Sequence, residues 1–141
     1  MRIDIICIGK LREDYLRAAQ AEYLKRLGPY ARLTVIETTD ERAMEKTLTA
    51  GGAYPIALAI DGKALTSEGL ADKLRGLGVD GTPHIAFVIG GAEGLSAHIL
   101  GLCRMRLSLS AMTFPHQLAR IILLEQVYRA FRIINNKPYH K

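Results

Sequence analysis

The sequence predicts an α/β domain with a mostly parallel sheet flanked by helices. Segments typical of strands and helices alternate along the whole chain, as they do where helices connect parallel strands. Two of the predicted strands, over residues 56–60 and 84–89, are apolar on both faces, which indicates helices on both sides of the sheet. No repeat, low-complexity run or linker interrupts the sequence, so we expect a single domain over residues 1–141.

The first half of the chain supplies three predicted strands and two helices. Residues 2–8 form the first strand, and a helix over 13–27 has its apolar side chains on one stripe. Gly28 and Pro29 end that helix, because glycine followed by proline is typical just beyond a helix terminus. The later elements of this half are a strand, a short polar helix and the third strand, over residues 33–38, 40–50 and 56–60.

The second half begins with a predicted turn at Asp61 and Gly62. Thr66 or Ser67 then provides a plausible N-cap for the next helix. Pro115 suits the entry to the last helix, because proline has a fixed φ and no N–H to lose there. The other segments are a strand, a glycine-rich turn, a short helix, a strand-like stretch and the long last helix, over residues 84–89, 90–94, 96–103, 107–110 and 115–134.

Positive charge is concentrated in the last third of the chain. Residues 98–141 hold seven Lys or Arg against Glu125 alone, whereas the preceding residues are nearly balanced. Such a segment suits an anionic partner, although a solvated helix face has the same composition. Arg120, Arg129 and Arg132 are predicted to form the solvent stripe of the last helix, with phosphate contact as the alternative.

The sequence favours a cytoplasmic protein without a metal or a membrane span. Cys7 and Cys103 are isolated, which predicts buried thiols in a reducing compartment. No apolar run approaches the roughly 20 residues that a membrane span needs. The N-terminal residues predict a strand rather than a secretory signal. Hydrolysis is not supported either, because the Ser/His/Asp, His-Glu-x-x-His and paired-carboxylate patterns are missing from the sequence.

The last predicted helix is apolar nearly all round, with Leu118, Ile122 and Phe131 among its side chains. One face can pack on the sheet, and the remainder needs a second cover. We therefore expect a homodimer, since two-fold pairing is the simplest cover; a helix enclosed by its own domain is the alternative.

Three segments are candidates for chemistry. The glycine turn at 90–94 lets backbone approach a ligand, yet it matches neither the dinucleotide fingerprint nor a phosphate loop. The stretch 107–116 exposes backbone groups between a strand and a helix, where open α/β sheets bind ligands. The terminal residues 138–141 combine an aromatic ring, an imidazole and a cation. Each segment also has a purely structural interpretation: the glycine turn as a tight turn, the stretch 107–116 as a packed connector, and the terminal residues as a frayed end.

Taken together, these motifs resemble the SPOUT methyltransferases, and in particular a small bacterial branch of that family. The resemblance is carried by the blocks Ile89-Gly90-Gly91-x-x-Gly94-Leu95, Leu107-Ser-Leu-Ser-Ala-Met-Thr-Phe-Pro-His116, Glu125-Gln-Val-Tyr-Arg-Ala-Phe131 and Pro138-Tyr-His-Lys141. Residues 8–10 and 22–30 also match, so the resemblance spans nearly the whole chain.

The resemblance implies a C-terminal trefoil knot and a homodimer, and periodicity alone indicates no knot. It implies S-adenosylmethionine as the methyl donor and N3 of a pseudouridine in 23S rRNA, within the assembled ribosome, as the acceptor. A non-enzymatic ribosome-associated RNA-binding factor and a nucleotide-binding regulator remain the alternatives.

The resemblance also implies the site residues. The expected cofactor-binding residues are Ile60, Gly90, Gly91, Ser110, Ala111, Met112, Thr113, Phe114 and Pro115. The expected catalytic and substrate-handling residues are His116, Tyr139, His140 and Lys141. Because the acceptor nitrogen must lose a proton, His140 or His116 would act as the base, while Tyr139 and Lys141 orient the nucleobase. We expect a mostly uncharged cradle for the donor beside a cationic tail, with no metal ion.

Overall fold

A computed structural model describes residues 1–139, and it confirms the predicted fold class. The strands form one five-stranded sheet in the order β2-β1-β4-β3-β5, and every pairing of neighbouring strands is parallel. In chain order the elements are β1 (Arg2–Ile8), α1 (Asp14–Leu27), β2 (Arg32–Thr38), α2 (Glu41–Ala50), β3 (Tyr54–Ala64), α3 (Ser67–Val79), β4 (His84–Ile89), α4 (Ala97–Leu102), β5 (Met105–Ser108) and α5 (His116–Ile134).

The core lies on both faces of the sheet, as the apolar strands predicted. One face packs against α1, α3 and α5, and this larger cluster includes the buried Phe87 of β4. The other face packs against α2 and α4, and its cluster includes Met44 and Val88. Alternate residues of β4 therefore enter different clusters, which is why a strand of this kind has no polar face.

Side-chain caps fix the starts of three helices. The Asp40 carboxylate accepts a hydrogen bond from the backbone N–H of Ala43, and Thr66 Oγ1 accepts one from Gly69. Ser96 Oγ accepts from the N–H of Ile99 in the same way at the start of α4. Each cap satisfies an N–H that the helix itself leaves unpaired. The predicted cap of α3 at Thr66 is confirmed.

The predicted turn at Asp61 and Gly62 is wrong, because β3 continues to Ala64. The strand contains an irregularity in which Leu58 and Lys63 both have Leu107 of β5 as their register partner. At Gly62 the backbone presses against β5: a Cβ there would lie 2.8 Å from the carbonyl carbon of Arg106. This glycine permits a close approach of two strands rather than a reversal of the chain.

The predicted strand over residues 107–110 lies two residues too late, since β5 spans Met105–Ser108. Serine hydroxyls end it: Ser108 Oγ donates to the carbonyl oxygen of Ser110 at 3.0 Å, and Ser110 Oγ accepts from the N–H of Met112 at 3.0 Å. Side chains that bond to nearby backbone in this way compete with the pairing of a strand. Ser110 therefore belongs to the loop between β5 and α5.

The prediction that Arg120 faces solvent is wrong. This arginine of α5 is 1% exposed. Its Nη1 donates to Glu37 Oε2 at 2.7 Å and to Gln20 Oε1 at 3.2 Å, and its Nη2 donates to the carbonyl oxygen of Gly9 at 3.1 Å. The guanidinium thus joins α5 to α1 and to the carboxyl ends of β1 and β2, where a buried charge has the partners that it needs.

Cys7 is a buried thiol, as predicted, and lies next to this network. Its Sγ donates to the carbonyl oxygen of Ile36 at 3.7 Å. Burial raises the pKa of the thiol to about 11; the Arg120 guanidinium opposes this shift and the Glu37 carboxylate adds to it. Cys103 is only half-buried, and burial raises the pKa of its thiol too.

We expect the free energy of unfolding to fall as the pH rises from about 9 to about 11, because the folded state keeps the Cys7 proton while the unfolded thiol ionises. The full effect is of the order of 2–3 kcal/mol. Urea unfolding at a series of pH values measures it, with Cys7→Ala as the control that lacks the thiol. Equal pH dependence in the two proteins would contradict this assignment.

Within residues 1–139, no helix combines the length and the apolar character that crossing a membrane requires. The same residues contain no cluster of His, Cys, Asp and Glu side chains that could hold a metal ion.

Candidate active site

The predicted cofactor residues lie at or near the carboxyl edge of the sheet. Strands β4, β3 and β5 are adjacent and parallel, so the segments that follow β4 and β5 emerge on the same side. Gly90 and Gly91 follow β4 directly, and residues 110–115 follow β5. Ile60 lies within the irregular part of β3 and is 56% exposed. This edge is where open α/β sheets bind their ligands.

The glycine turn at 90–94 closes on itself. The N–H of Gly94 donates to the carbonyl oxygen of Gly91 at 3.0 Å, and Gly94 has a φ of +77°. A Cβ on Gly90 would lie 2.6 Å from the carbonyl carbon of Gly94, whereas one on Gly91 would make an ordinary 3.7 Å contact with Ile8. Gly90 is therefore required by the turn itself, and the fold leaves room for a side chain at Gly91.

Two alanine substitutions separate these roles. We expect Gly90→Ala to destabilise the fold by about 1–3 kcal/mol, because backbone cannot move away from the new methyl group without opening the turn. We expect Gly91→Ala to change the melting temperature little and to weaken cofactor binding. Thermal unfolding and calorimetric titration measure the two effects. A Gly91→Ala variant less stable than Gly90→Ala would contradict this geometry. Unchanged cofactor affinity in Gly91→Ala would show that Gly91 is not part of the cofactor site.

The loop over residues 110–115 presents mostly backbone and small side chains to solvent. Met112 is 74% exposed, Ala111 and Thr113 are also exposed, and Ser110 and Phe114 are half-buried. Pro115 takes the N-cap position of α5, and its carbonyl oxygen accepts from the N–H of Ala119 at 2.9 Å. The loop therefore carries uncharged groups that suit a ligand held by backbone and apolar contact.

A cavity of about 280 Å³ adjoins this loop. Phe114 and Ser108 line it together with the start of α3 and the inner side of α5, and neither Gly90 nor Gly91 is part of its lining. Across it, Ser67 Oγ donates to Gln126 Oε1 at 2.6 Å. The full lining is Leu65, Thr66, Ser67, Leu70, Leu107, Ser108, Leu109, Phe114, Ile122 and Gln126.

The sequence did not indicate that α3 and Gln126 line this cavity. The available signal was the Thr66 cap: a helix that begins soon after β3 has its first turn close to the carboxyl edge of the sheet. Gln126 carries no such signal, because all of its neighbours in the cavity except Ile122 are distant in the sequence.

Tyr139, the last of the described residues, packs against α5. The guanidinium of Arg129 lies 4.2 Å from the centre of the Tyr139 ring, and the Tyr128 ring lies 5.1 Å from it. Arg132 Nη2 donates to the carbonyl oxygen of Pro138 at 2.7 Å. Burial, followed by the neighbouring Glu125 carboxylate, raises the pKa of Tyr139 to about 12. At neutral pH the phenol is therefore a hydrogen-bond donor rather than a base.

The remaining arginines of α5 are also engaged. Arg129 Nη2 forms a salt bridge with Glu125 at 2.8 Å, and Arg132 Nη1 donates to the Tyr30 hydroxyl at 2.8 Å. Both are half-buried, so the predicted solvent stripe is wrong for them too. Each is held by groups within its own chain, which argues against a free phosphate contact at these two positions.

The structure does not bring the loop and Tyr139 together within one chain. His116 begins α5 beside the loop, and Arg129, on which Tyr139 packs, lies thirteen residues further along the same helix. At 1.5 Å per residue, these two positions are about 20 Å apart. His140 and Lys141, the other predicted catalytic residues, lie outside the described residues.

Comparison with known proteins identifies the family of the chain. A family model described as "Predicted SPOUT methyltransferase" matches residues 1–140. Relatives named "Ribosomal RNA large subunit methyltransferase H" from Alkaliphilus oremlandii and Clostridioides difficile are 48% and 45% identical, and each alignment covers 100% of both chains. These matches define the class of protein as a methyltransferase. The chain belongs to the SPOUT methyltransferase family, as its motif blocks predicted.

Solved structures support the fold. A probable methylase family protein from Haemophilus influenzae Rd KW20 superposes with a TM-score of 0.58 at 20% identity, covering 99% of this chain and 70% of that one. The SpoU methyltransferase AviRb from Streptomyces viridochromogenes, solved in complex with AdoMet, gives 0.51 at 13% identity, covering 96% of this chain and 58% of that one.

Proposed function

We propose that this methyltransferase transfers a methyl group from S-adenosylmethionine to N3 of a pseudouridine in 23S rRNA of the assembled ribosome. The observation that carries the proposal is the 48% identity, over the full length of both chains, to a relative named as a ribosomal RNA large subunit methyltransferase. SPOUT membership supplies the donor. A chain that acts on ribosomes works in the cytoplasm, which is the location that we propose.

The residues at the carboxyl edge fit such a donor. When bound, the sulfonium supplies a methyl group that is already activated. The surrounding residues need only bind and align the donor, and Phe114, Leu109 and the loop backbone offer apolar and uncharged polar contacts for that purpose. The adjoining cavity of about 280 Å³ lies near the lower end of the usual range for small-molecule sites.

The acceptor requires removal of a proton from the ring nitrogen. Among the described residues, His116 begins α5 directly after the loop, which makes its imidazole one candidate base. His140 remains the other candidate from the sequence. Tyr139, with its raised pKa, serves as a neutral donor that orients the nucleobase. Lys141 would add positive charge beside the developing imidate.

A homodimer reconciles these roles. Because Tyr139 and the loop lie at different positions along α5, the tail of one subunit would complete the site of its two-fold partner. Leu118 of α5 is 39% exposed and Tyr15 of α1 is 68% exposed, on two helices that pack together. This apolar surface supports subunit pairing. The trefoil knot stays a prediction from the resemblance.

Mass spectrometry of rRNA tests the proposal. Ribosomes from cells that lack the modification are incubated with the protein and methyl-labelled S-adenosylmethionine. We expect one added methyl group on a single pseudouridine-containing fragment of 23S rRNA. Donor binding without methyl transfer to rRNA would overturn the assignment of 23S rRNA as the substrate. A calorimetric titration with no donor binding would favour a non-enzymatic ribosome-associated factor instead.

A further inference from the structure

A second cavity, of about 390 Å³, lies at the open edge of the sheet. β5 is an edge strand, and this cavity lies between the start of that strand, β3 and α3. Its charged and aromatic lining consists of Tyr54, Lys63, Lys73, Arg104 and Asp72. We call this set of residues the basic pocket. None of them belongs to the predicted cofactor site.

The Tyr54 ring organises two of the cations. Lys73 Nζ lies 5.3 Å from the centre of the ring, and the Arg104 guanidinium carbon lies 5.1 Å from it. The backbone of Tyr54 is fixed within the sheet, since this residue pairs in register with Ile85 of β4. The backbone N–H of Arg104 donates to the carbonyl oxygen of Pro55 at 2.9 Å. Attraction between each cation and the ring favours positions of both positive groups at the rim of the pocket.

The positive charge of the basic pocket is not neutralised by carboxylates. Within residues 1–139, Lys63, Lys73 and Arg104 form no salt bridge, in contrast to the paired Arg120 and Arg129. The one acid in the lining, Asp72, lies 3.7 Å from the guanidinium of Arg75. Three cations and one carboxylate give this concave surface a net positive charge, which attracts an anion.

The basic pocket adjoins the candidate active site. Leu65 lines both cavities, and Lys63 is the register partner of Leu107, which lines the cavity beside the cofactor loop. An anion bound here would lie beside the edge at which the methyl group is transferred. A polymer with repeated phosphates can occupy the basic pocket and still present a nucleobase at that edge.

We propose that the basic pocket binds backbone phosphates of the RNA substrate next to the nucleotide that is methylated. This inference rests on the proposed function and names a contact surface for its substrate. Lys63, Lys73 and Arg104 supply sequence-independent affinity, and Tyr54 keeps two of them in place. Such contacts release counterions from the RNA, so their contribution falls as the salt concentration rises.

A pair of matched double variants tests the proposal. Lys73→Gln with Arg104→Gln removes two charges from the basic pocket. Arg42→Gln with Lys46→Gln removes two charges from exposed positions of α2, on the opposite face of the sheet. Affinity for assembled ribosomes is measured by co-sedimentation over a range of salt concentrations. Melting temperature and donor titration establish that each variant is folded.

For the basic-pocket variant we expect at least a tenfold loss of affinity. We also expect the plot of log affinity against log salt to become less steep by about 2, since each lost phosphate contact reduces the steepness by nearly one. We expect its Kd for the donor to be unchanged, and we expect the α2 variant to bind like the wild type. Equal binding by both variants, while the wild type methylates rRNA, would overturn the inference alone. A wild type that methylates no rRNA would overturn the proposed function and the inference with it. Lost affinity of this variant for ribosomes, combined with full affinity for protein-free 23S rRNA, would indicate a contact with ribosomal protein and would also overturn the inference.

Discussion

Arg120→Met is expected to lower the free energy of unfolding by about 1–3 kcal/mol. The substitution keeps most of the side-chain volume and removes the charge that holds Glu37, Gln20 and the Gly9 carbonyl together. Those groups then lose a buried donor, and the Glu37 side chain, which is 32% exposed, keeps partial contact with water. The penalty is therefore smaller than that for breaking a fully buried ion pair. Chemical denaturation of the wild type and the variant measures the difference.

Two further variants make this test specific. Arg26→Met removes an arginine from the exposed pair with Glu22, which we expect to cost far less than the loss at Arg120. Arg120→Met combined with Glu37→Gln is expected to recover part of the loss, because the carboxylate no longer lacks a partner. A loss at Arg120 as small as the one at Arg26 would show that the buried network contributes little to stability.

Deletion of residues 138–141 is expected to leave donor affinity nearly unchanged while reducing methyl transfer by about 10²–10⁴-fold, the usual contribution of acid–base groups. Pro138 and Tyr139 lie outside the lining of the cavity beside the cofactor loop, which is why donor binding should survive. Calorimetry gives the affinity for the donor, and labelled methyl transfer to ribosomes gives the rate. Loss of folding on deletion, or full activity, would contradict a role at the acceptor.

Mixed dimers show which subunit supplies the tail. The tail deletion is co-expressed with Gly91→Leu, once calorimetry has shown that this variant binds no donor. If the tail completes the site of its partner, each mixed dimer has one complete site, and random pairing restores about a quarter of wild-type activity. If the tail serves its own chain, the mixture stays inactive. The purified single variants provide the baseline.

Local signals in the sequence predicted most of the fold. Thr66 as a cap and Gly28 after α1 act within a few residues of their own position, so their effects can be read from neighbouring residues. The apolar residues 84–89 predicted a strand covered on both faces because burial on both sides leaves no place for polar groups. The placement of the two loops at one edge followed from the parallel sheet.

The sequence could not indicate contacts between residues that are distant along the chain. Gly62 was interpreted as a turn because its close contact, Arg106, lies on another strand. Arg120 was interpreted as solvent-exposed because its acidic partner Glu37 is 83 residues away. The basic pocket was missed for the same reason, since Tyr54, Lys73 and Arg104 come from three separate segments. Helical periodicity describes one helix at a time and carries no information about such partners.

The Arg120 network also has a consequence for the order in which the chain folds during synthesis. Its partners Gly9, Gln20 and Glu37 precede it by 111, 100 and 83 residues. When only β1, α1 and β2 have been synthesised, these hydrogen bonds cannot form, because Arg120 has not yet been translated. Closing loops of this length is entropically costly and slow. The earliest third of the polypeptide must therefore wait for the last helix to leave the ribosome before it reaches its final stability.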